Sequence, residues 1–341
     1  MAILGLGIEM LVLFVAFGFM VGVFFGFFGM GGSFLVTPAL LILGYPAPVA
    51  IGSSMAFVFG TAVIATMKHH DVGQVDYKLG ALMFVGIALG IEGGKYVVFF
   101  LESLGRAEVV IGTAYVLLLG AIGVLFIRSA RNQSAAEDDD EPHDDDEIPE
   151  IAKKIKSYNI PPMVTLTDGS KASMWTISGV GGGVGLVSGF LGVGGGFIRM
   201  PAIYYLIGVP LAAAVGTSLF GALMSGAVGA FTYGLGGVVD LGVVTALLAG
   251  SALGARIGSA LTAYVNEDDV TIYFGIMLLL ASVGVAFGEL ANWLEMPILD
   301  TLSFVLLVGS SAFVTTVILF YGTKAIRTTD VRPTAPTGDT D

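Results

Sequence analysis

Long apolar stretches alternate with short polar ones along most of the chain. A membrane-spanning helix needs about 20 mainly apolar residues. Nine stretches approach or exceed this length: 3–28, 48–67, 79–101, 109–127, 174–191, 211–233, 241–265, 270–290 and 299–321. The pattern predicts an all-α polytopic membrane protein.

Two shorter apolar stretches, Phe34–Leu43 and Phe197–Ile207, begin inside glycine-rich motifs. The first motif is "GFFGMGGSFLVTP" (26–38) and the second is "GFLGVGGGFIRMP" (189–201). Apolar stretches this short do not span a bilayer easily, so we predict two half-helices that are broken or re-entrant.

The motifs belong to an internal duplication. Pro201 follows Pro38 by 163 residues, "GYPAPVAIGSSMAF" aligns with "GVPLAAAVGTSLFG", and "VGQVD" aligns with "GGVVD". Matched Pro, Asp and Ser/Thr residues are hard to obtain by chance. We predict a first transmembrane repeat (1–127), a linker (128–173), a second repeat (174–290), and an extra transmembrane helix with a tail (291–341).

Composition supports the membrane class and narrows the partners. Hydrophobic residues form 55% of the chain and charged residues only 12%, whereas soluble domains carry about 25% charged residues. Much of the net charge of −12 lies in the acidic run at 137–150, which predicts a largely disordered linker. We expect no nucleic-acid partner and no metal site. With no cysteine, thiolate chemistry is excluded.

The positions of lysine and arginine predict the orientation of the spans. Basic residues gather near residues 68–78, in the linker and after the last span. Placing these regions in the cytoplasm puts the N-terminus outside and the linker and C-terminus inside. The turn at 44–48 then lies outside and the matching turn at 208–211 inside. Opposite orientation of two halves is the inverted-topology repeat of many secondary transporters.

The paired motif "G-x-x-G-x-G-G-[SG]-F…P", followed each time by "G-[ST]-S", resembles the TauE/SafE family of membrane transporters, the sulfite exporter family. The resemblance covers about residues 10–290. It implies transport, mostly export, of sulfite, sulfoacetate and related small sulfur-containing anions.

Three interpretations of the glycine clusters compete. A phosphate-binding loop is disfavoured because no "GK[ST]" follows either cluster. Close helix packing is the second interpretation. The third is a helix break, with Thr37 as the N-cap and Pro38 as the first residue of a new helix. Amides freed by two such breaks would bind the substrate anion. The predicted ligands are Gly31, Gly32, Ser33, Gly194, Gly195 and Gly196.

The hydroxyl pairs after each break form a second candidate group. Ser53, Ser54, Thr217 and Ser218 are expected to donate to the anion or to coordinate a coupling ion. The alternative is that they hydrogen-bond to carbonyls of the preceding helical turn.

A few ionisable residues lie within the predicted spans, where charges usually line a cavity or form pairs. Arg199 lies in the second motif, opposite Val36 in the first, and its guanidinium suits an oxyanion. Glu92 aligns with Arg256, and Lys95 lies on the same helix as Glu92. They predict either a Glu92–Arg256 ion pair or an anion path lined by Lys95 and Arg256.

These features predict a non-enzymatic secondary transporter of small sulfur-containing oxyanions, working by alternating access around a central site. No cofactor is expected, and the partners are a small anion and the lipid bilayer. The alternatives are transport of another small anion, import instead of export, or a membrane receptor or scaffold. The sequence pattern sets no oligomeric state.

Overall fold

The described part of the chain is a bundle of eleven α-helices with two short β-hairpins. A computed structural model describes residues 2–3, 5–28, 32–70, 76–136, 161–166, 171–209, 211–262, 264–265, 267–294 and 296–329. The predicted all-α class is confirmed. The acidic run at 137–150, like Gly31, lies outside the described residues.

The helices follow the duplication. The first half contains α1 (Ile8–Phe28), α2 (Val36–Ile42), α3 (Ala47–His70), α4 (Tyr77–Ser103) and α5 (Ala107–Ala136). The second contains α6 (Met174–Leu191), α7 (Gly196–Ala202), α8 (Leu211–Leu235), α9 (Leu241–Leu261) and α10 (Glu267–Leu294), followed by α11 (Pro297–Thr329). A 3₁₀ turn, Gly32–Leu35, precedes α2, and a π-helical turn, Ile203–Ile207, follows α7.

The hairpins are small and peripheral to the bundle. Strand β1 (Ala2–Ile3) pairs with β2 (Leu6–Gly7) before α1, and β3 (Met163–Thr165) pairs with β4 (Lys171–Ser173) before α6. Both pairs are antiparallel. The Lys78 ammonium donates to the Thr165 carbonyl, which holds the second hairpin against the start of α4.

Eight helices in the described residues are long and apolar enough to cross a membrane. They are α1, α4, α5, α6, α8, α9, α10 and α11. The apolar part of α3 among the residues searched, Ala47–Val63, is shorter, as is Ile198–Ile207. The ninth predicted span is therefore a helix of 24 residues whose described apolar segment is short.

Two glycine seams join the halves. Helix α1 packs on α9, and α4 packs on α6. A Cβ added at any seam glycine would collide with a backbone oxygen of the partner helix, so only glycine permits this separation. The α1–α9 seam contains Gly18, Gly22, Gly26, Gly250, Gly254 and Gly258, and the α4–α6 seam contains Gly86, Gly90, Gly94, Gly181, Gly185 and Gly189.

The order of the seam contacts gives the helix directions. Gly18, Gly22 and Gly26 meet Leu247, Ser251 and Ala255 in rising order, so α1 and α9 are parallel. The α4–α6 contacts also rise, from Gly86 on Ser178 to Gly94 on Leu186. Each seam therefore pairs parallel helices from different halves.

Equivalent helices of the two halves meet in antiparallel pairs. Gly229 of α8 faces Met55, whereas Gly226 faces Phe59, so α3 and α8 run in opposite directions. Helices α5 and α10 do likewise, because Gly112 faces Glu289 and Gly123 faces Leu279. Two halves related by an approximate twofold axis across these helices would produce this arrangement.

The bundle has two ends, which we name by the chain. Helices α1, α3 and α9 begin at the amino-terminal end, whereas α4, α6 and α8 begin at the linker end. The contacts of Gly52 with Val238 and of Gly60 with Leu248 rise together, so α3 and α9 are parallel. Helix α8 runs opposite to α3, and the contact of Thr217, near its start, with Asp76 places the start of α4 at the same end. Since α1 and α3 start at the same end, the intervening α2 returns the chain to it. Helix α7 likewise returns the chain to the linker end, where α6 and α8 both begin.

An aromatic cluster packs around the first of these returns. The Phe274 ring in α10 lies 6.0 Å from the Phe24 ring and 5.9 Å from the Phe34 ring, centroid to centroid. Phe126 in α5 completes the contact at 5.2 Å. These contacts pack the 3₁₀ turn of the first half between α1, α5 and α10.

Candidate anion site

The second glycine cluster forms a sharp break between α6 and α7. Gly192, Gly194 and Gly195 have φ values of +75°, +63° and +74°, which other L-residues rarely adopt. Gly192 immediately follows α6 and Gly195 immediately precedes α7. Three such glycines in four positions let the chain reverse within a few residues, and this region is buried.

Arg199 is fully buried beside this break, with 0% of its surface exposed. Its Nη1 donates to the Ser218 carbonyl at 3.0 Å, and its Nη2 donates to the Gly194 carbonyl at 3.1 Å and to Ser225 Oγ at 3.0 Å. The guanidinium thus links the Gly194 carbonyl of the break to Ser218 and Ser225 of α8. Its Nε has no hydrogen-bond partner among the described residues.

Two serines of α8 donate further hydrogen bonds to carbonyls at the break. Ser218 Oγ donates to the Gly196 carbonyl at 2.9 Å, and Ser225 Oγ donates to the Gly194 carbonyl at 2.7 Å. These serines are seven residues apart and therefore share one face of the helix. Gly221 lies between them, and a Cβ there would meet Arg199 Cδ at 2.6 Å. The absence of a side chain at Gly221 makes room for the guanidinium.

Ser188 is a further buried polar group at the break. Its hydroxyl has no hydrogen-bond partner in the described part of the chain, although the residue is 0% exposed. A Cβ added at Gly195 would contact both Ser188 Oγ and Arg199 Nη2, so these two groups flank one glycine. Buried polar atoms without partners are few in proteins, and each requires an explanation such as a bound water or ion.

The first glycine cluster leads into a different arrangement. Helix α2 begins at Val36 after the 3₁₀ turn, so the prediction that Thr37 is the N-cap and Pro38 the first helical residue is wrong. Leu35 occupies the N-cap position without a side-chain hydrogen bond. The Thr37 hydroxyl instead donates to Ser54 Oγ at 2.8 Å. An additional 3₁₀ turn starts the helix earlier than the proline position suggested.

The two breaks lie against each other. A Cβ added at Gly192 would meet Thr37 Oγ1 at 2.7 Å. Two tyrosine hydroxyls bind the carbonyls at the end of α6, with Tyr115 donating to Leu191 at 2.5 Å and Tyr233 to Gly189 at 2.6 Å. Residues from both halves therefore surround the region where the anion site was predicted.

The family model described as "Sulfite exporter TauE/SafE" matches residues 14–285, which include both halves. The chain belongs to the sulfite exporter TauE/SafE family. The family resemblance predicted from the paired motifs is thereby confirmed, and the membrane-transporter class with it.

Relatives of this TauE/SafE protein are named as transporters. The probable membrane transporter protein YunE of Bacillus subtilis is 24% identical over 79% of this chain and 94% of its own length. A probable membrane transporter protein of Xylella fastidiosa is 24% identical over 84% of this chain and 98% of its own length. One from Methanocaldococcus jannaschii is 24% identical over 62% of this chain and 67% of its own length. No solved structure matches.

The predicted site residues of this TauE/SafE protein divide into three groups. Gly194, Gly195, Gly196, Arg199 and Ser218 come together at the second break. In the first half, Ser54 reaches Thr37, and Gly32 begins the 3₁₀ turn. Gly31 and the side chain of Ser33 lie outside what the structure describes.

Ser53 and Thr217 contact the opposite half. Ser53 Oγ accepts the backbone N–H of Asp240 at 3.0 Å, and Thr217 Oγ1 accepts that of Asp76 at 3.0 Å. The alternative prediction, bonding to carbonyls of the preceding turn, does not describe these contacts, because here the hydroxyl oxygens act as acceptors.

The predicted charged residues lie on α4 and α9, not on the helices that flank the second break. Glu92 contacts Lys95 at 2.6 Å on the same helix, and Arg256 is exposed on α9. Among the described residues Glu92 makes no ion pair with Arg256, so that suggested pair is not formed. Glu92 and Lys95 lie three positions apart on one helix, so Glu92 has a nearer partner in Lys95 than in Arg256 of α9.

Sequence reasoning missed Ser188, Ser225, Asp76 and Asp240 as site residues. Asp76 and Asp240 were visible only as matched positions of the duplication. The seven-residue spacing of Ser225 from Ser218 is a usable signal, because it places both on the helix face that carries the predicted hydroxyl. Ser188 gave no signal, since a serine within an apolar helix commonly bonds its own helix.

Proposed function

We propose that this TauE/SafE protein is a secondary transporter, and specifically an exporter, of small sulfur-containing oxyanions. The observation that carries the proposal is the fully buried Arg199 at the second break. No carboxylate in the described residues forms an ion pair with it. A buried charge without a counter-ion is costly, and a bound anion supplies the missing charge.

The hydrogen bonds of Arg199 leave donors for such an anion. A guanidinium has five N–H donors, and the three acceptors at the break occupy three of them. The remaining donors are the Nε–H and one N–H of Nη1, and the Ser188 hydroxyl lies beside the Nη2 group. Sulfite and sulfonate groups present several acceptor oxygens on one sulfur and suit this convergence.

Two antiparallel halves support alternating access. Helices α5 and α10 are equivalent in the duplication, long enough to cross a membrane, and antiparallel in their contact. In our proposal the halves therefore cross the bilayer in opposite orientations, with the breaks meeting near its middle. The amino-terminal end would face outside and the linker end the cytoplasm, following the distribution of basic residues.

Export of an anion agrees with the membrane potential. An inside-negative potential of 100 mV contributes about 2.3 kcal/mol per elementary charge. This free energy favours outward movement of an anion, and no coupling ion is needed. The name of the family, sulfite exporter, agrees with this direction.

Flux from proteoliposomes tests the substrate class. Vesicles loaded with sulfite, sulfate, thiosulfate, taurine or sulfoacetate are diluted with and without a pH gradient, and release is followed against protein-free vesicles. We expect sulfite or a sulfonate to leave fastest, and faster with a potential that drives anions outward. Release of none of these compounds above the protein-free rate would reject the proposal.

Cysteine labelling tests the opposite orientation of the halves. The chain has no native cysteine, so single cysteines are unambiguous. Leu104 and Tyr264 are exposed and follow α4 and α9, which are equivalent helices. Leu104→Cys and Tyr264→Cys should react with an impermeant maleimide from opposite sides of the membrane. Labelling from the same side would contradict inverted topology.

A further inference from the structure

Two hydrogen bonds related by the duplication connect each half to the other. We call the bond from the Asp240 N–H to Ser53 Oγ the Ser53 latch, and the bond from the Asp76 N–H to Thr217 Oγ1 the Thr217 latch. Both have a donor–acceptor distance of 3.0 Å. Ser53 and Thr217 are fully buried, so no solvent competes for either hydroxyl in this conformation.

Each donor of a latch is held by the helix that it begins. The Asp76 carboxylate accepts from the Leu79 N–H at 2.9 Å and so caps α4. The Asp240 carboxylate accepts from the N–H groups of Gly242 at 2.9 Å and Val243 at 3.1 Å and so caps α9. The side chain of each aspartate thus fixes the direction of its backbone N–H. Separating a latch requires moving the start of a whole helix.

The latches lie at opposite ends of the bundle. Helix α9 begins at the amino-terminal end, where α3 also begins and carries Ser53. Helix α4 begins at the linker end, where α8 begins and carries Thr217. Helices α3 and α8 are antiparallel, and Ser53 and Thr217 each lie in the early turns of their own helix. The two latches therefore lie at opposite ends.

Each latch adjoins a break through the next residue in the sequence. Ser54 accepts from the Thr37 hydroxyl of α2, and Ser218 donates to the Gly196 carbonyl of α7. The Ser218 carbonyl also accepts from Arg199. In each "G-[ST]-S" motif, one hydroxyl therefore contacts the opposite half while its neighbour contacts the break of its own half.

We infer that the two latches are the gates of the transporter and that they open one at a time. Separation of the Ser53 latch admits solvent to the breaks from the amino-terminal end, and separation of the Thr217 latch admits it from the linker end. Ser53, Thr217, Asp76 and Asp240 are positioning residues that need not touch the anion. The inference rests on the alternating access proposed above.

The symmetry of the latches yields opposite effects for matched variants. Ser53→Ala removes the acceptor at the amino-terminal end alone, and Thr217→Val removes the one at the linker end alone. Loss of one neutral hydrogen bond shifts the equilibrium toward opening of its own end by about 2- to 10-fold. Thr217→Ser keeps a hydroxyl and serves as the conservative control.

Two reporter positions detect which end has opened. Ala56 and Phe220 are equivalent in the duplication, partly buried, and three residues beyond Ser53 and Thr217. Cysteine is placed at one or the other, and its reaction rate with a small soluble maleimide is measured in detergent without any anion. Ser53→Ala should raise the rate at Ala56→Cys about 2- to 10-fold and leave or lower that at Phe220→Cys. Thr217→Val should do the reverse, and Thr217→Ser should match the parent.

Equal acceleration of both reporters by either variant would indicate general loosening and overturn the inference, as would no change at either. Flux measured on the same preparations tests the proposed function separately. Anion flux without opposed shifts in labelling would reject the latches, whereas opposed shifts without flux would reject the substrate class.

Discussion

The two breaks occupy equivalent positions in the duplication, yet their chemistry differs. In the second half, Arg199 lies against Gly221 and near Ser188. At the matching positions of the first half the chain has Val36, Phe57 and Phe25, all buried. The second half thus has a large cation beside a glycine. At the two matching positions the first half has a small apolar valine and a phenylalanine.

The difference separates the scaffold from the site. Seam glycines, aspartate caps and latches occur in both halves, so the duplication preserves what packs and connects the helices. A buried arginine occurs in one half alone among the residues described. The comparison predicts that polar substitutions at the second break affect transport, whereas equivalent changes at the first affect stability.

Removal of the charge at Arg199 should have the largest effect. A hydrogen bond from a charged group contributes about 1.5–3 kcal/mol, so Arg199→Gln should lower anion flux about 10- to 150-fold. Arg106→Gln, at an exposed arginine between α4 and α5, is the matched control and should retain flux. Unchanged flux in well-folded Arg199→Gln, assessed by size exclusion and thermal unfolding, would remove Arg199 from the site.

Exchange of the residue pair tests the complementarity directly. Gly221→Phe alone should overpack Arg199 and cost about 1–3 kcal/mol of stability. Arg199→Val with Gly221→Phe places the first half's pair in the second half. The double variant should unfold at a higher temperature than Gly221→Phe alone while remaining inactive in flux. Additive losses of stability would show that the two positions do not share space.

Loss of the Ser188 hydroxyl should have a smaller effect. Ser188→Ala removes one neutral donor, worth about 1 kcal/mol, and should raise the KM for flux about fivefold with little change in stability. Ser251 also has a buried hydroxyl without a partner in the described residues, but it lies on the α1–α9 seam. Ser251→Ala should leave KM unchanged, and an equal rise in both variants would contradict a role for Ser188 in anion binding.

Loss of a tyrosine hydroxyl at the end of α6 should be the mildest of these changes. Tyr233→Phe leaves the Gly189 carbonyl without its tyrosine donor and should cost about 0.5–1.5 kcal/mol. Tyr115→Phe, which frees the Leu191 carbonyl, should cost a similar amount, because both tyrosines are buried. Thermal unfolding in one detergent compares them, and a loss of flux without a loss of stability would place either hydroxyl in the site.

Much of the fold was predictable because it depends on local patterns. Apolar length predicted the long helices, and the two short apolar stretches predicted the short helices that return the chain. The start of α2 was not predictable from Thr37–Pro38, since the 3₁₀ turn is stabilised by packing around Phe34 and Phe274. Propensity at a helix start is weak beside such contacts.

The site was predictable only in part. Arg199 was conspicuous as a charge inside an apolar motif. The contacts of Ser53 with Asp240 and of Thr217 with Asp76 join residues 187 and 141 positions apart. Such contacts depend on how the two halves dock, and no local spacing encodes that. Glu92 is the opposite case, because its partner is the local neighbour Lys95, three residues on, and not the aligned Arg256.

The glycine seams have a consequence for the ancestry of the chain. Gly18, Gly22 and Gly26 find their surface on α9, and the matching glycines of α6 find theirs on α4. An unduplicated half would have no partner for its own seam, but an antiparallel homodimer of that half would close both. Fusion of two such copies into one chain would free each break to mutate independently. The present contrast between Val36 and Arg199 is a divergence that an obligate homodimer, with one gene for both copies, could not have made.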